Sequence, residues 1–351
     1  MDFKPNEEQR ALASAVRDMA SSLTPKDDGN GAPTGPQPFD PTGWSRMAEM
    51  GLLGLPFSED AGGFGASSIE VALAASELGK ARVALPYADA MAAAAALDAA
   101  GSELLAEVVG GEKVVLTAFG EKGGVWAPDQ PTRTATGSGD GVTLSGVGVG
   151  NTDLSEAHAV VTTALADGEL GVYLVEAPSV DRAVATFDGA SAVRLGGREV
   201  LDAALALGNV AQSGEAIGAM EAALGMTVEY LKTRKQFGVP LMTFQALTQR
   251  AADMYVGVEL TRSAVLFAAM ALAEEVDVDA VSRAKYLVGT YGRLVGQEAI
   301  QLHGGIGMTA EYAVGHYTSR LASIERTFGD TRYHLARLAQ GVGNHESVDV
   351  I

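Results

Sequence analysis

The chain has 351 residues and no cysteine. This excludes disulfides, thiolate metal sites, thiol nucleophiles and thiol redox switches together, and it fits a reducing compartment. The expected location is the cytoplasm. Basic residues are scarce, with 25 Lys and Arg against 44 Asp and Glu and a formal net charge of −19. Such a surface repels nucleic acid and anionic membranes, so neither is expected as a partner. Long apolar runs are missing. The two most apolar stretches, Met91–Leu97 and Ala264–Leu272, fall far short of the ~18 residues of a membrane span. The opening MDFKPNEEQRALASAVRDMA starts acidic and lacks the apolar segment and cleavage site of a signal peptide. His158, His303, His316, His334 and His345 form no HExxH or similar pair, so no metal site is expected.

What is present can build a sizeable core: 47% of residues are hydrophobic and 20% charged. The length suggests two or three units of roughly 100–150 residues. Apolar residues at helical spacing predict a helix over Asn6–Leu23, a short helix is expected at Pro41–Met50, and Ala-rich helices at Ser67–Leu78 and Ala88–Ala100. The Pro- and Gly-rich Thr24–Gly43 between the first two predicts a surface loop. From Lys113 to Ala203 the character changes. Val114–Ala118, Val142–Val149, Ala159–Thr163 and Gly171–Val175 predict strands, with hairpin-type turns at Asp140-Gly141 and Asp167-Gly168. No helix-length segment separates them, so a small antiparallel sheet is expected rather than a βαβ unit. Gly146–Asn151 (GVGVGN) imitates a dinucleotide fingerprint but has no helix after it. The helical period returns near Leu207. Helices are predicted at Gln212–Thr233, Met242–Glu275, Asp279–Leu302 and Arg332–Gln340. The expected architecture is α+β, with a helical unit over 1–112, a β unit over 113–203 and a four-helix bundle over 204–351.

Two segments could carry chemistry. In Arg234-Lys235-Gln236-Phe237-Gly238 the basic residues suit a helix end and Gly238 a left-handed cap. Equally, Arg234 could project from that end to clamp a phosphate. In Gln301-Leu302-His303-Gly304-Gly305-Ile306-Gly307 the glycines allow either a plain helix–helix turn or close approach of a ligand. His303 reads as a structural histidine or as a base.

The pair, in this order on an α–β–α chain, resembles the acyl-CoA dehydrogenase family. The resemblance covers nearly the whole length. Gly51–Leu78 (GLLGLPFSEDAGGFGASSIEVALAASEL) is similar to the family's GL.G…P.E.GG.G.S stretch. Tyr230–Gly238 continues into Phe244-Gln245 and Ala252-Asp253-Met254. Gly304–Val314 (GGIGMTAEYAV) is similar to GG.G…EYPV, with Ala313 in place of proline. The resemblance implies α,β-desaturation of an acyl-CoA thioester: a glutamate takes the α proton and FAD accepts the β hydrogen as hydride. It also implies FAD shared across a subunit interface, an acyl-CoA substrate and an electron-transfer flavoprotein as acceptor.

This sequence departs from that pattern. The glutamate of the family's EGT loop falls on Phe328, before Gly329. The alternative glutamate, on the long helix, falls on Gly208. The family's TEP..GSD turn corresponds to Thr117–Gly124 (TAFGEKGG), without the proline and the Ser-Asp pair. Its WIT-type strand corresponds to Val149-Gly150-Asn151-Thr152. These losses concern the part that receives the flavin. The residues that a neighbour donates to it, Arg234, Phe237, Gln301, Gly304 and Gly305, are kept. The resemblance therefore implies a base-less subunit that completes the FAD site of a catalytic acyl-CoA dehydrogenase-like partner in a heterotetramer, with fatty acyl or bulkier sterol side-chain substrates. Two alternatives stand beside it. One is a self-sufficient homotetramer with a displaced base, Glu325 or Asp330. The other is a flavin-free structural or binding protein on the same fold.

Overall fold

The computed structural model describes residues 4–25 and 37–344. Most of the segment expected as a surface loop, residues 26–36, lies outside the described residues, as does His345. Helices α1 (Glu7–Leu23) and α2 (Pro41–Glu49) start at side-chain caps, Asn6 and Asp40. They are followed by α3 (Ser68–Lys80), α4 (Tyr87–Ala99) and α5 (Leu104–Val109). Ser67 and Glu70 form a capping box at α3, which satisfies two otherwise orphaned backbone donors. The six residues of α5 are too few to show a period, and sequence reading missed it.

One sheet follows: β1 (Val115–Thr117), β2 (Thr134–Thr136), β3 (Thr143–Val149), β4 (Ala159–Ala166), β5 (Glu169–Glu176), β6 (Ser179–Asp181), β7 (Val184–Ser191) and β8 (Val193–Gly196). Its order is β6-β7-β3-β2-β4-β5-β8, with β1 added on β4. The sheet is largely antiparallel, as expected, but β1 and β2 each pair with β4 in parallel. The Asp167-Gly168 turn connects β4 to β5 with both residues at positive φ (51° and 86°), which suits a tight hairpin. After β3, Asn151 caps a short 3₁₀ turn rather than a helix, in line with rejection of GVGVGN as a fingerprint.

The remainder is α6 (Arg198–Thr233), a hairpin of β9 (Lys235–Gln236) and β10 (Val239–Pro240), α7 (Gln245–Glu274), α8 (Val278–His303), α9 (Val314–Arg326) and α10 (Thr331–Gly341). Helix α6 starts well before Gln212. Residues from Ala204 to Met220 are all buried, so no polar face marks the helical period there. The bundle's fourth helix is α9, which packs on α6 and α8, while the predicted Arg332–Gln340 helix is α10, packed on α8. Phe237 and Gly238 take positive φ (54° and 83°) as the tip of the β9–β10 hairpin, so Gly238 is not a helix cap. Helix α7 is long and apolar enough to cross a membrane by length and composition, although its longest uninterrupted apolar run is short. It also carries Glu259 and Arg262 in an ion pair near its middle.

Contact between α3 and α6 is made backbone to backbone. A Cβ added at Gly214 or Gly218 would overlap the carbonyl oxygens of Ala72 and Ser76, and one at Gly79 would overlap that of Glu215. Neither helix can move aside, because α4 and α8 hold α6 from its other sides. Gly218→Val should therefore destabilise the chain by about 1–3 kcal/mol or more, the range for overpacking a tight core. Urea denaturation checks this, and an unchanged midpoint would mean that α3 and α6 can slide apart at little cost.

Candidate functional site

Gly208 and Phe328 lie 120 residues apart in sequence and touch in space. A Cβ at Gly208 would stand 3.1 Å from Phe328 Cε2 and 2.7 Å from the Ala92 methyl of α4. The two positions where counting places a carboxylate thus converge, and an aromatic ring fills the place. Phe328 is buried, adopts positive φ (56°) and meets Trp126 edge-on at 6.1 Å between centroids.

Its loop is held by its carbonyls. The buried Lys285 ammonium donates to the backbone oxygens of Ile324 (2.7 Å), Thr327 (2.6 Å) and Gly329 (3.2 Å). His334 Nε2–H donates to the Phe328 oxygen at 3.0 Å. Burial pushes Lys285 down to about 7, against the pull of Glu325 and Asp330. Burial, and then the positive charge of Lys285, push His334 down to about 3, so its ring is neutral. The two alternative bases are committed elsewhere. Glu325 accepts from Thr331 N and Oγ1, and Asp330 caps α10 by accepting from Tyr333 N. Neither pairs with Arg326 or Arg332 among the described residues.

In the Thr117–Gly124 turn, Thr117, Ala118, Phe119 and Glu121 are buried, while Lys122, Gly123 and Gly124 are exposed. Thr117 N and Oγ1 donate to Asp89 Oδ1, and Asn151 Nδ2 donates to Asp89 Oδ2 at 2.6 Å. Gly120 bridges Val149. Arg133, fully buried, donates to the carbonyl oxygens of Phe119, Gly120, Val147 and Thr163, and pairs with Glu121 at 3.1 Å. Thr117 and Asn151 therefore spend their polar groups on a carboxylate of α4. Burial raises Asp89 to about 7 against the donors from Thr117, and raises Asp153 nearby to about 6. Sequence reading missed Asp89, Arg133, Lys285 and His334. For Asp89 and Lys285 the available signal was a charged residue on an otherwise apolar stretch, as with Lys285 among Val281, Ala284 and Val288, whereas Arg133 and His334 stand among polar residues and gave none.

The other half of the predicted site is open. Arg234, Phe237, Gln301, Gly304 and Gly305 are all exposed, Phe237 at 91%. The Arg234 backbone is bonded, its N–H donating to the Tyr230 oxygen and its own oxygen accepting from Leu241 N, but the Arg234 side chain makes no hydrogen bond or ion pair among the described residues. Nothing lies within 4 Å of a Cβ added at Gly304 or Gly305. His303 is buried, its ring near Tyr230 (4.6 Å) and Tyr312 (4.9 Å), with Nδ1 2.7 Å from the Ala299 oxygen; it is a structural histidine. Gly208 lies in α6 and Arg234 is the residue that ends it, so the two halves stand about 39 Å apart along the helix at 1.5 Å per residue. They cannot serve one centre within one chain. FAD fits these residues unequally. Arg234 and the Gly304–Gly305 turn suit a pyrophosphate, whereas cavities near the inward half measure about 10 and 20 Å³, with Phe328 in the wall of the larger.

The sequence profile "Acyl-CoA dehydrogenase, N-terminal domain" matches residues 6–108, and "Acyl-CoA dehydrogenase, C-terminal domain" matches 196–343. The chain is 28% identical to acyl-CoA dehydrogenase FadE27 of Mycobacterium tuberculosis, over 97% of this chain and 98% of that one. Among solved structures it is similar to the Tcur3481-Tcur3483 steroid ACAD G363A variant (TM-score 0.86, 28% identity, 96% and 98% of the two chains). It is also similar to the ChsE4-ChsE5 complex from Mycobacterium tuberculosis (TM-score 0.86, 25% identity, 99% and 100%).

Asp89 supplies a titration test. Its folded value lies above the unfolded one, so the protonated form is favoured in the fold. Its contribution is full below about 4 and is lost as pH rises through about 7. A carboxyl carbon-13 titration should give a midpoint near 7. An ordinary aspartate midpoint would show that the donors outweigh burial.

Proposed function

The chain belongs to the acyl-CoA dehydrogenase family, and from that premise we propose that it is the base-less member of a heteromeric enzyme. In this reading it assembles with a catalytic acyl-CoA dehydrogenase-like subunit and completes that partner's FAD site. The observation that carries the reading is the separation along α6: Gly208 is plugged by Phe328 at one end, and Arg234 is exposed without a partner at the other. FAD, when bound in the partner, supplies the redox chemistry. This chain's Arg234 holds phosphate charge through its planar fork, and Gly304 and Gly305 let the ligand approach the backbone. Gln301 and Phe237 are exposed as well and, in this reading, would contribute to the same contact.

An exposed apolar face supports assembly. Tyr255, Val256, Leu260 and Phe267 on α7 are exposed at 36–56%, and Met308 beside the Gly304 turn at 78%. Exposed apolar area of this kind marks an interface. A membrane suits it less well, because Glu259 and Arg262 stand in the middle of the same helix. The structures described as a steroid ACAD and as the ChsE4-ChsE5 complex motivate the substrate class, a bulky steroid-type acyl-CoA handled by the whole complex. Electrons would pass to an electron-transfer flavoprotein, in a reducing cytoplasm. A displaced base is disfavoured by the commitments of Glu325 and Asp330. A flavin-free role is disfavoured by the free Arg234.

The isolated chain should bind FAD weakly and turn over no acyl-CoA. Reconstituted with its partner, it should hold one flavin per unlike pair. Arg234→Ala should then lower flavin retention on the order of tenfold or more, since a charge-assisted hydrogen bond contributes roughly 1.5–3 kcal/mol. Unchanged flavin content and turnover in the complex would leave Arg234 a plain helix-end cation and end this reading.

Phe328→Glu in the isolated chain should give no desaturation. A carboxylate there would be buried against Ala92 and Gly208 with no room for a thioester beside it. Steady turnover by this variant, measured with a dye acceptor, would show that the inward half still opens to substrate.

A further inference from the structure

Behind Phe328 lies a second feature, independent of any partner. A cavity of about 20 Å³ sits between α6, the start of α8 and α10, and the Phe328 ring forms part of its wall. Three buried polar side chains line it: Asn209 (3% exposed), Ser282 (1%) and His334 (3%). Each presents an atom with no partner in the protein: Asn209 Oδ1, Ser282 Oγ and His334 Nδ1. Buried polar atoms without partners are costly, and three around one small space need a common explanation.

Their hydrogen-bonding roles follow from their other contacts. Asn209 Nδ2 donates to the Leu205 oxygen, so Oδ1 is an acceptor. His334 Nε2 faces the Phe328 carbonyl and must carry the proton, so in the neutral ring Nδ1 is also an acceptor. Ser282 Oγ–H remains as a donor. Two acceptors and one donor are the complement of a single water molecule.

We propose that this cavity is a site for one bound water, which donates to His334 Nδ1 and Asn209 Oδ1 and accepts from Ser282 Oγ–H. The volume exceeds the roughly 10–15 Å³ that a water requires, and three hydrogen bonds are the usual number for a buried one. A small cation would meet the same acceptors, but the positive charges of Lys285 and Arg337, which already depress His334, oppose it. The water makes His334 a positioning residue. It fixes the Nε2–H tautomer that grips the Phe328 carbonyl, while Lys285 takes the carbonyls on either side. Phe328 is thereby locked against Gly208 at a positive φ that few non-glycine residues hold unaided. The inward half is then kept shut by a dedicated network.

The test uses the full chain, alone or with the partner it purifies with. A crystal structure with ordered solvent should show one peak roughly 2.7–3.2 Å from all three atoms. Nitrogen-15 NMR should show His334 in the Nε2–H form. An empty cavity, a peak whose height follows sodium concentration, or a His334 in the other tautomer would overturn the proposal. In Asn209→Leu, which fills the cavity with methyl groups, the peak should vanish, His334 should become a mixture of tautomers, and the Trp126 indole resonance should shift as Phe328 loosens. An unchanged tautomer and an unchanged Trp126 would remove the positioning role. The wild-type measurements stand even if that variant does not fold.

Discussion

The contact on which the structure depends is the seating of α6 directly on the backbone of α3 and against a side-chain methyl of α4. Gly214 and Gly218 meet carbonyl oxygens of α3, and Gly208 meets the Ala92 methyl of α4. Contacts this close leave no freedom of rotation or slide, because interiors at crystal-like density do not yield smoothly. The helix that crosses the whole bundle is thus fixed along its buried length, from Ala204 to Met220. Beyond that point its burial becomes intermittent, and its last two residues, Lys232 and Thr233, are exposed together with Arg234. One rod therefore carries a closed end and an exposed end, and the distance between them is set by helix rise rather than by any loop.

This rigidity gives meaning to the asymmetry between the halves. A flexible connection would let the exposed arginine fold back onto its own chain. A 36-residue helix cannot do so. The exposed Arg234, the unfilled space beside Gly304 and Gly305, and the apolar face of α7 all point outward. At the other end, the polar groups of Thr117, Asn151 and Arg133 all point inward and are satisfied within the chain.

The order of helices, sheet and bundle was legible, since α1 and α8 show a clear helical period, α3 and α4 are Ala-rich, and most of β3 to β5 reads as short β-branched runs. The start of α6 was not, because a helix buried on every face has no polar side to mark its turn. Strands β6 to β8 were missed for the opposite reason: β7 and β8 are substantially exposed, and their residues lack β-branched runs. At the site, counting along motifs gave Gly208 and Phe328 as two alternative positions for the base, and the structure brings the two into contact. What motif counting could not supply was the set of buried ionisable residues. Lys285, Arg133 and Asp89 look like solvated charges in sequence, and only the fold reveals that backbone groups surround the first two and that Thr117 and Asn151 surround the third.

These three buried ionisable residues share one feature. Each fixes a loop or turn by its main chain or by its polar side chains, not by packing against an opposite charge alone. Lys285 gathers the carbonyls before and after Phe328, Arg133 gathers those of Phe119 and Gly120, and Asp89 receives Thr117 and Asn151. Desolvating such groups costs several kcal/mol each, and well-packed apolar side chains of similar volume often do as well for stability. Stability alone is therefore a weak reason for them. An apolar replacement could fill the volume, but it could not specify which carbonyl points where. What these residues secure is conformation: a loop with Phe328 turned in and a turn with Thr117 turned in.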